Sequence, residues 1–211
     1  IISSRSNLHF KYLRYLDKTI KNKKILVEKP LFHKNYNLKI KNNKVFVGYN
    51  LRFHPVIMFI KKYIKNKNIF LSNITCRSYL PNWRKNTSYT KSNSAKKSYG
   101  GGVLLELSHE IDYINWIFDG IKKIDHAKIG KISDLKIDTE DYALIEGKSL
   151  RSYFNLELNF FSKLEERKIG IYGKNFSIVG DLINNKITIM DENRNKKILK
   201  YNLDKNYTYV K

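Results

Sequence analysis

Two hydrophobic periods divide this chain, and together they leave few folds open to it. Up to about residue 64, short apolar runs alternate with helical patterns. Ile1-Ile2 is followed by a helix through Leu8, Tyr12, Leu13, Leu16 and Ile20, then by the strand Ile25-Leu26-Val27. A further helix is expected over Leu31 to Ile40, interrupted by Asn35 and Asn37, then a strand at Val45 to Tyr49 and a helix from Ile57 to Ile64. Strand, helix and strand joined by short loops form a parallel βαβ unit. Ile69 to Tyr79 reads as a strand, and after a helix from Gly100 to Phe118 the period is closer to two. Runs at 122–129, 142–148, 152–160, 167–172, 175–179, 186–190 and 197–201 are separated by turn residues, with Asp191 to Asn195 as a hairpin turn. Tyr153, Asn155, Glu157 and Asn159 alternate with Phe154, Leu156, Leu158 and Phe160, the pattern of an antiparallel sheet with one core face and one wet or partner-covered face. The expected fold class is α/β followed by α+β, with the seam near Asn50 to Pro55.

Ligands of open α/β sheets sit beyond the carboxyl ends of the strands. Ser3 to Asn7, Glu28-Lys29-Pro30 and Asn50 to Pro55 all leave such ends and are expected to face one crevice. A fourth stretch carries chemistry. Gly100-Gly101-Gly102 opens a helix whose apolar stripe is Val103, Leu104, Leu107, Ile111, Ile114 and Phe118, running to Phe118. Glu106, His109 and Asp112 recur every three residues, which on an unbroken helix places an imidazole between two carboxylates on one face. The set reads either as a tuned acid/base or as a satisfied structural histidine beside acids favoured by the helix dipole. Without a further anchored ligand it is weak support for a metal, and none is expected. Leu80 to Tyr99 is a long polar connection, either a substrate loop or a mobile one. Its Trp83 and Arg84 suit sugars and phosphates or serve as a loop anchor and a solvated charge. Arg52 suits a phosphate or a pairing with Glu28. His54 before Pro55 reads as structural.

The charge of +22 over 211 residues raises nucleic-acid binding as a possibility. The lysines, however, are scattered among asparagines and isoleucines and form no single basic face, so no nucleic-acid partner is expected. Hydrophobic residues make up 42% of the chain, enough for a substantial core. The lone Cys76 rules out an internal disulfide and fits a reducing, cytoplasmic location. No apolar run approaches the ~18 residues of a membrane span, so no membrane partner is expected. Ile1 to Ser4 reads as the end of a strand whose beginning is absent, so a chain cut at its N-terminus is expected.

Leu26-Val27-Glu28-Lys29-Pro30-Leu31, Val47-Gly48-Tyr49-Asn50-Leu51-Arg52-Phe53-His54-Pro55 and the glycine-led helix with Ser108-His109-Glu110-Ile111-Asp112-Tyr113 occur in an order that resembles the Gfo/Idh/MocA family of nicotinamide-dependent oxidoreductases. The turn from Ser4 to His9 resembles that family's cofactor-side turn. The resemblance implies a partial Rossmann-type dinucleotide-binding domain over 1–50 and a substrate-binding and oligomerisation domain over 51–211. It implies NAD or NADP held by Ser4, Asn7, His9, Glu28, Lys29 and Pro30, and a sugar, nucleotide-sugar or cyclitol held by Tyr49, Arg52, Trp83, Arg84 and His109. Lys29 and His109 are the implied catalytic pair. Glu106 and Asp112 are their candidate supports, since the family's carboxylate stands four residues before the histidine and Glu106 stands three before it. A homo-oligomer through the sheet face is also implied. The Gly-x-Gly-x-x-Gly fingerprint does not occur in the chain and is expected upstream of Ile1. The alternative is a non-catalytic sugar-binding or assembly protein of the same fold.

Overall fold

The computed structural model describes residues 1–203 and 207–210. Helix α1 spans Ser6–Thr19, and strands β1 (Lys24–Val27) and β2 (Lys44–Val47) pair in parallel, Lys24 opposite Lys44 and Val27 opposite Val47. Ile2 joins the far side of β1 through a parallel bridge to Val27. The carboxyl ends of these segments, at Ser3, Glu28 and Gly48, therefore lie side by side. Ile2, Leu13, Ile25 and Val27 form the small core beneath them.

The helix expected over Leu31 to Ile40 is absent, and this stretch runs without regular structure. Its asparagines offer the backbone competing hydrogen bonds and favour turns over helix. Leu31, Phe32, Leu38 and Ile40 instead pack individually onto the small core. Phe32 and Tyr36 surround Phe10 of α1, with the Tyr36 ring stacked 4.1 Å from it. The Asp17 carboxylate accepts the backbone N–H groups of Lys41 and Asn42 at 2.9 and 3.1 Å, and these bonds hold its pKa below the usual range. Tertiary anchors thus replace helical hydrogen bonding.

Next come α2 (Pro55–Tyr63), β3 (Ile69–Tyr79), the short α3 (Val103–Glu106), α4 (Ser108–Ile117) and seven strands: β4 (Ile121–Gly130), β5 (Tyr142–Ser149), β6 (Tyr153–Asn159), β7 (Phe161–Gly173), β8 (Phe176–Asp181), β9 (Lys186–Asp191) and β10 (Lys196–Lys200). A final turn of helix, α5, covers Tyr207–Val210. His54 caps α2, accepting the Val56 N–H, and so has the structural place expected of it. The strands form one sheet in the order β10-β9-β8-β7-β3-β6-β5-β4. It is not wholly antiparallel, because β3 enters between β6 and β7 and pairs in parallel with β6. The chain from β3 to β6 passes through two helices and two strands, long enough for the crossover a parallel pair requires. Val56, Ile57 and Ile60 of α2 and Tyr113, Ile114 and Ile117 of α4 cover one face, against Ile74, Leu156, Leu158, Ile169 and Ile171. On the opposite face Tyr153 is 54% exposed, as the alternation predicts, whereas Asn159 is buried because its side-chain amide donates to Glu157 and accepts the Ser162 N–H. Among the described residues no helix is long and apolar enough to cross a membrane.

The Leu80 to Tyr99 connection is built from four single turns of 3-10 helix, at Leu80–Asn82, Tyr89–Lys91, Asn93–Ala95 and Lys97–Tyr99. It is locked to the glycine stretch. Gly100 has φ +78°, and a Cβ there would meet Ser6 Oγ and the His33 side chain. At Gly101 a Cβ would run into the carbonyl oxygens of Asn93 and Ser94. Because those oxygens are backbone, Gly101→Ala is expected to lower unfolding stability by about 1–3 kcal/mol. Gly130→Ala, where nothing lies within 4 Å of the added carbon, should stay within about 0.5 kcal/mol. Urea melts of the two variants check this contrast.

Candidate active site

Helix α4 is fastened to the sheet by a buried ion pair. Glu110 is fully buried, and its carboxylate accepts Arg167 Nε at 2.7 Å and Nη2 at 3.1 Å. The Tyr113 hydroxyl donates to Glu110 Oε1 at 3.4 Å. Burial opposes charge on Arg167, but the Glu110 carboxylate outweighs it and holds the guanidinium firmly protonated. The Cys76 thiol beside them is pushed well up by burial and by the same carboxylate. Two residues on, the Asp112 carboxylate accepts Arg52 Nε at 2.8 Å and Nη2 at 2.6 Å. Arg52 is thus committed to Asp112, not to Glu28 or a phosphate, and Asp112 does not orient His109.

Nor does Glu106. The helix expected from Gly100 to Phe118 breaks at Leu107, where φ is −99° and ψ is 31°. Lys29 explains the break. Its Nζ takes a hydrogen bond to the Glu106 carbonyl oxygen at 2.6 Å and lies 3.4 Å from Glu106 Oε2. With that carbonyl engaged, the Glu110 N–H turns back to Leu107 O, one residue short of an α-helical bond. Glu106 and His109 therefore do not share a helical face. Glu106 holds Lys29 instead, and its other oxygen accepts Ser94 Oγ at 2.9 Å. Glu106 thus pairs with Lys29 and not with His109.

His109 is left without a carboxylate partner. Its ring meets Tyr49 edge to face at 5.6 Å, and Nδ1 is buried with no hydrogen-bond partner among the described residues. Burial, together with the positive charges of Arg167 and Lys29, pulls its pKa down to about 3, so the imidazole is neutral at pH 7. His109, Lys29, Glu106 and Trp83 line one cleft of about 370 Å³, together with Arg77, Ser78, Glu165, Glu166 and Arg167 from β3 and β7. The last five carry no motif and are brought in by strand register; only a pattern of charged residues on an otherwise alternating strand hinted at them. Trp83 packs edge to face on Phe160 at 5.1 Å. Arg84 does not reach this cleft and lines a separate small hollow beyond Trp83.

The cofactor-side residues are also placed. Lys29 and Pro30 flank a cis peptide bond. His9 Nδ1 lies 2.9 Å from Pro30 O and Nε2 2.9 Å from Ser4 O, with the ring 1% exposed. Both nitrogens are occupied, so His9 ties the two strand-end turns together and does not present itself to a ligand. Asn7 Nδ2 donates to Ser98 O at 2.9 Å, and its Oδ1 is buried with no partner among the described residues. Ser4 opens onto a hollow bounded by Ile1, Tyr12 and Tyr15. Glu28 lies over Gly48, where an added Cβ would come 3.2 Å from Oε2. Tyr49 and Asp112 line a further groove on the far side of α4. Among the described residues no group of three or more His, Cys, Asp or Glu is placed to hold a metal ion. Of the cofactor-side and helix residues, Lys29 and His109 face one cleft near the end of β1, an amine and an imidazole whose chemistry fits the reacting end of a nicotinamide cofactor. A glycine-rich pyrophosphate turn has no counterpart in this sequence.

No protein-family model and no curated protein matches the sequence. Solved structures do match. A levoglucosan dehydrogenase in complex with NADH is 18% identical with a TM-score of 0.78, covering 95% of this chain and 60% of its own. An inositol dehydrogenase homologue complexed with NAD+ from Azotobacter vinelandii is 13% identical with a TM-score of 0.72, covering 96% and 57%. A UDP-N-acetylglucosamine 3-dehydrogenase from Acidithiobacillus ferrooxidans is 12% identical with a TM-score of 0.71, covering 99% and 65%. The chain thus spans about three-fifths of each of these proteins and shares the fold of that portion.

Two outcomes follow from the electrostatics. Replacing Arg167 by Met strands the Glu110 carboxylate in the core and should cost about 3–5 kcal/mol in a denaturant melt. His109 gives a pH signature. Its ordinary pKa is 6.5 and the folded site lowers it to about 3. Between these values the unfolded chain binds the proton and the folded chain does not, so this contribution to stability is lost as pH falls. His109→Asn should therefore show a shallower loss of stability than the parent between pH 7 and pH 4, read from melts across that range.

Proposed function

We propose that the chain is the greater part of a Gfo/Idh/MocA-type NAD(P)-dependent oxidoreductase acting on a secondary alcohol of a sugar, nucleotide-sugar or cyclitol. What carries this reading is the convergence of Lys29 and His109 on one cleft at the strand ends of the small parallel sheet. Its support is the fold shared with a levoglucosan dehydrogenase in complex with NADH and levoglucosan and with an inositol dehydrogenase homologue complexed with NAD+. We assign residues 1–50 to the cofactor side and 51–211 to the substrate side, in keeping with two separate apolar cores.

When bound, the nicotinamide supplies the hydride acceptor or donor. The chain supplies position and the proton. Lys29, held by the Glu106 carbonyl, presents an ammonium that binds the reacting oxygen and favours negative charge developing on it. Neutral His109 accepts the hydroxyl proton in the oxidative direction and returns it in the reductive one. Trp83 offers an aromatic wall for a sugar ring. Glu106 and Arg167 are positioning residues, the first for Lys29 and the second for α4. Glu28, Pro30, Ser4 and Asn7 are assigned to the cofactor edge. A second copy of the chain is proposed to cover the open sheet face around Leu71, Tyr153 and Tyr172, where Tyr153 and Tyr172 are exposed.

The test is NAD(P)-dependent turnover of a sugar and cyclitol panel, followed by nicotinamide fluorescence. Lys29→Ala and His109→Asn should each reduce kcat by about 10²–10⁴-fold. Turnover that survives both substitutions rejects the assignment. Saturable sugar binding with no turnover under any nicotinamide cofactor favours the binding-protein alternative.

A further inference from the structure

The charge around the cleft narrows what can enter it. The chain as a whole carries +22, yet among the described residues each cation lining the cleft is already met by a carboxylate. Lys29 is paired with Glu106, and Arg77 with both Glu157 and Glu166. Arg167 is paired with the buried Glu110, and Lys168 with Glu166. A site built for a carboxylate or phosphate leaves a guanidinium fork free to receive it; here each fork already grips a glutamate. Arg84, beyond Trp83, belongs to a different hollow.

Among the described residues that line the cleft, the charge without an ionic partner is negative. Tyr79 of β3 pairs with Phe161 and Arg77 with Glu166, so residues 162–165 of β7 stand opposite Ser78 alone and bulge outward. Glu165 on this bulge is exposed, lines the cleft and has no hydrogen bond or ion pair among the described residues. Lys163 of the same bulge sits over the Tyr79 ring, 5.9 Å from its centre. Beneath the bulge, Ser78 Oγ is buried with no partner among the described residues. A hydroxyl-rich ligand can donate to Glu165; a like-charged ligand meets repulsion from it.

We propose that Glu165 is a specificity-determining residue, and that the ring held in this cleft is uncharged or amino-bearing, with uronates and ring phosphates disfavoured. The proposal rests on the cleft being a sugar site. Binding to the chain is measured by ligand-observed NMR competition at pH 7 and low salt, with glucose, glucosamine, glucuronate and glucose 6-phosphate as probes. The expected order is glucosamine, then glucose, with the two anions about fivefold or more weaker than glucose. Glu165→Gln, isosteric and on an exposed bulge, should bring the anions to within about twofold of glucose and remove the advantage of glucosamine. Anions that match or exceed glucose, or an order unchanged in Glu165→Gln, overturn the proposal while leaving the sugar site standing. No binding of any probe, neutral or charged, overturns the sugar site and the proposal together.

Discussion

The ion pair between Glu110 and Arg167 is the interaction on which the site depends. A fully buried carboxylate keeps its charge only where a cation or several hydrogen-bond donors meet it; for Glu110 the cation is Arg167, which reaches it from β7, a strand in the middle of the sheet. That contact sets where α4 lies on the sheet and hence where His109, the preceding residue, projects. The other acids near His109 act in the same way. Glu106 receives Lys29 from the end of β1, and Asp112 receives Arg52 from the turn after β2. Three carboxylates within seven residues thus clamp three parts of the fold around one imidazole, and none of them touches it. His109 is neutral first because it is buried from water, and then because two of the clamping cations, Arg167 and Lys29, lie close to it.

This arrangement separates what the sequence shows from what it hides. The alternation of Phe154, Leu156 and Leu158 is visible because burial on one sheet face leaves a period of two. The strand ends at Glu28 and Gly48 are visible because short apolar runs and breakers frame them. The spacing of Glu106, His109 and Asp112 misleads, because it assumes an unbroken helix; Lys29, seventy-seven residues away, removes the carbonyl that would have kept Leu107 helical. The missing helix at Leu31 to Ile40 has a similar cause, since Asp17 and Phe10 supply anchors that no local pattern contains. Arg77, Glu165 and Arg167 enter the cleft through the register of β3 against β7, which is a property of the sheet and not of any segment.

Charge shows the same division between global and local. Scattered lysines give the chain a strongly positive total, and that total says little about the cleft, where the cations are matched by carboxylates and the unmatched residue is Glu165. Long-range attraction to anions and short-range preference within the cleft are therefore opposed. A substrate drawn in by the overall field is still selected by the few groups it touches once desolvated.

The most direct measurement is a structure of the protein with NAD+ and a neutral sugar or cyclitol bound. The account predicts a substrate hydroxyl within hydrogen-bonding distance of both Lys29 Nζ and the His109 ring, with the nicotinamide face against the same carbon and Trp83 along the sugar. Ligands seated away from this cleft, or a sugar in the cleft that touches neither Lys29 nor His109, contradict it.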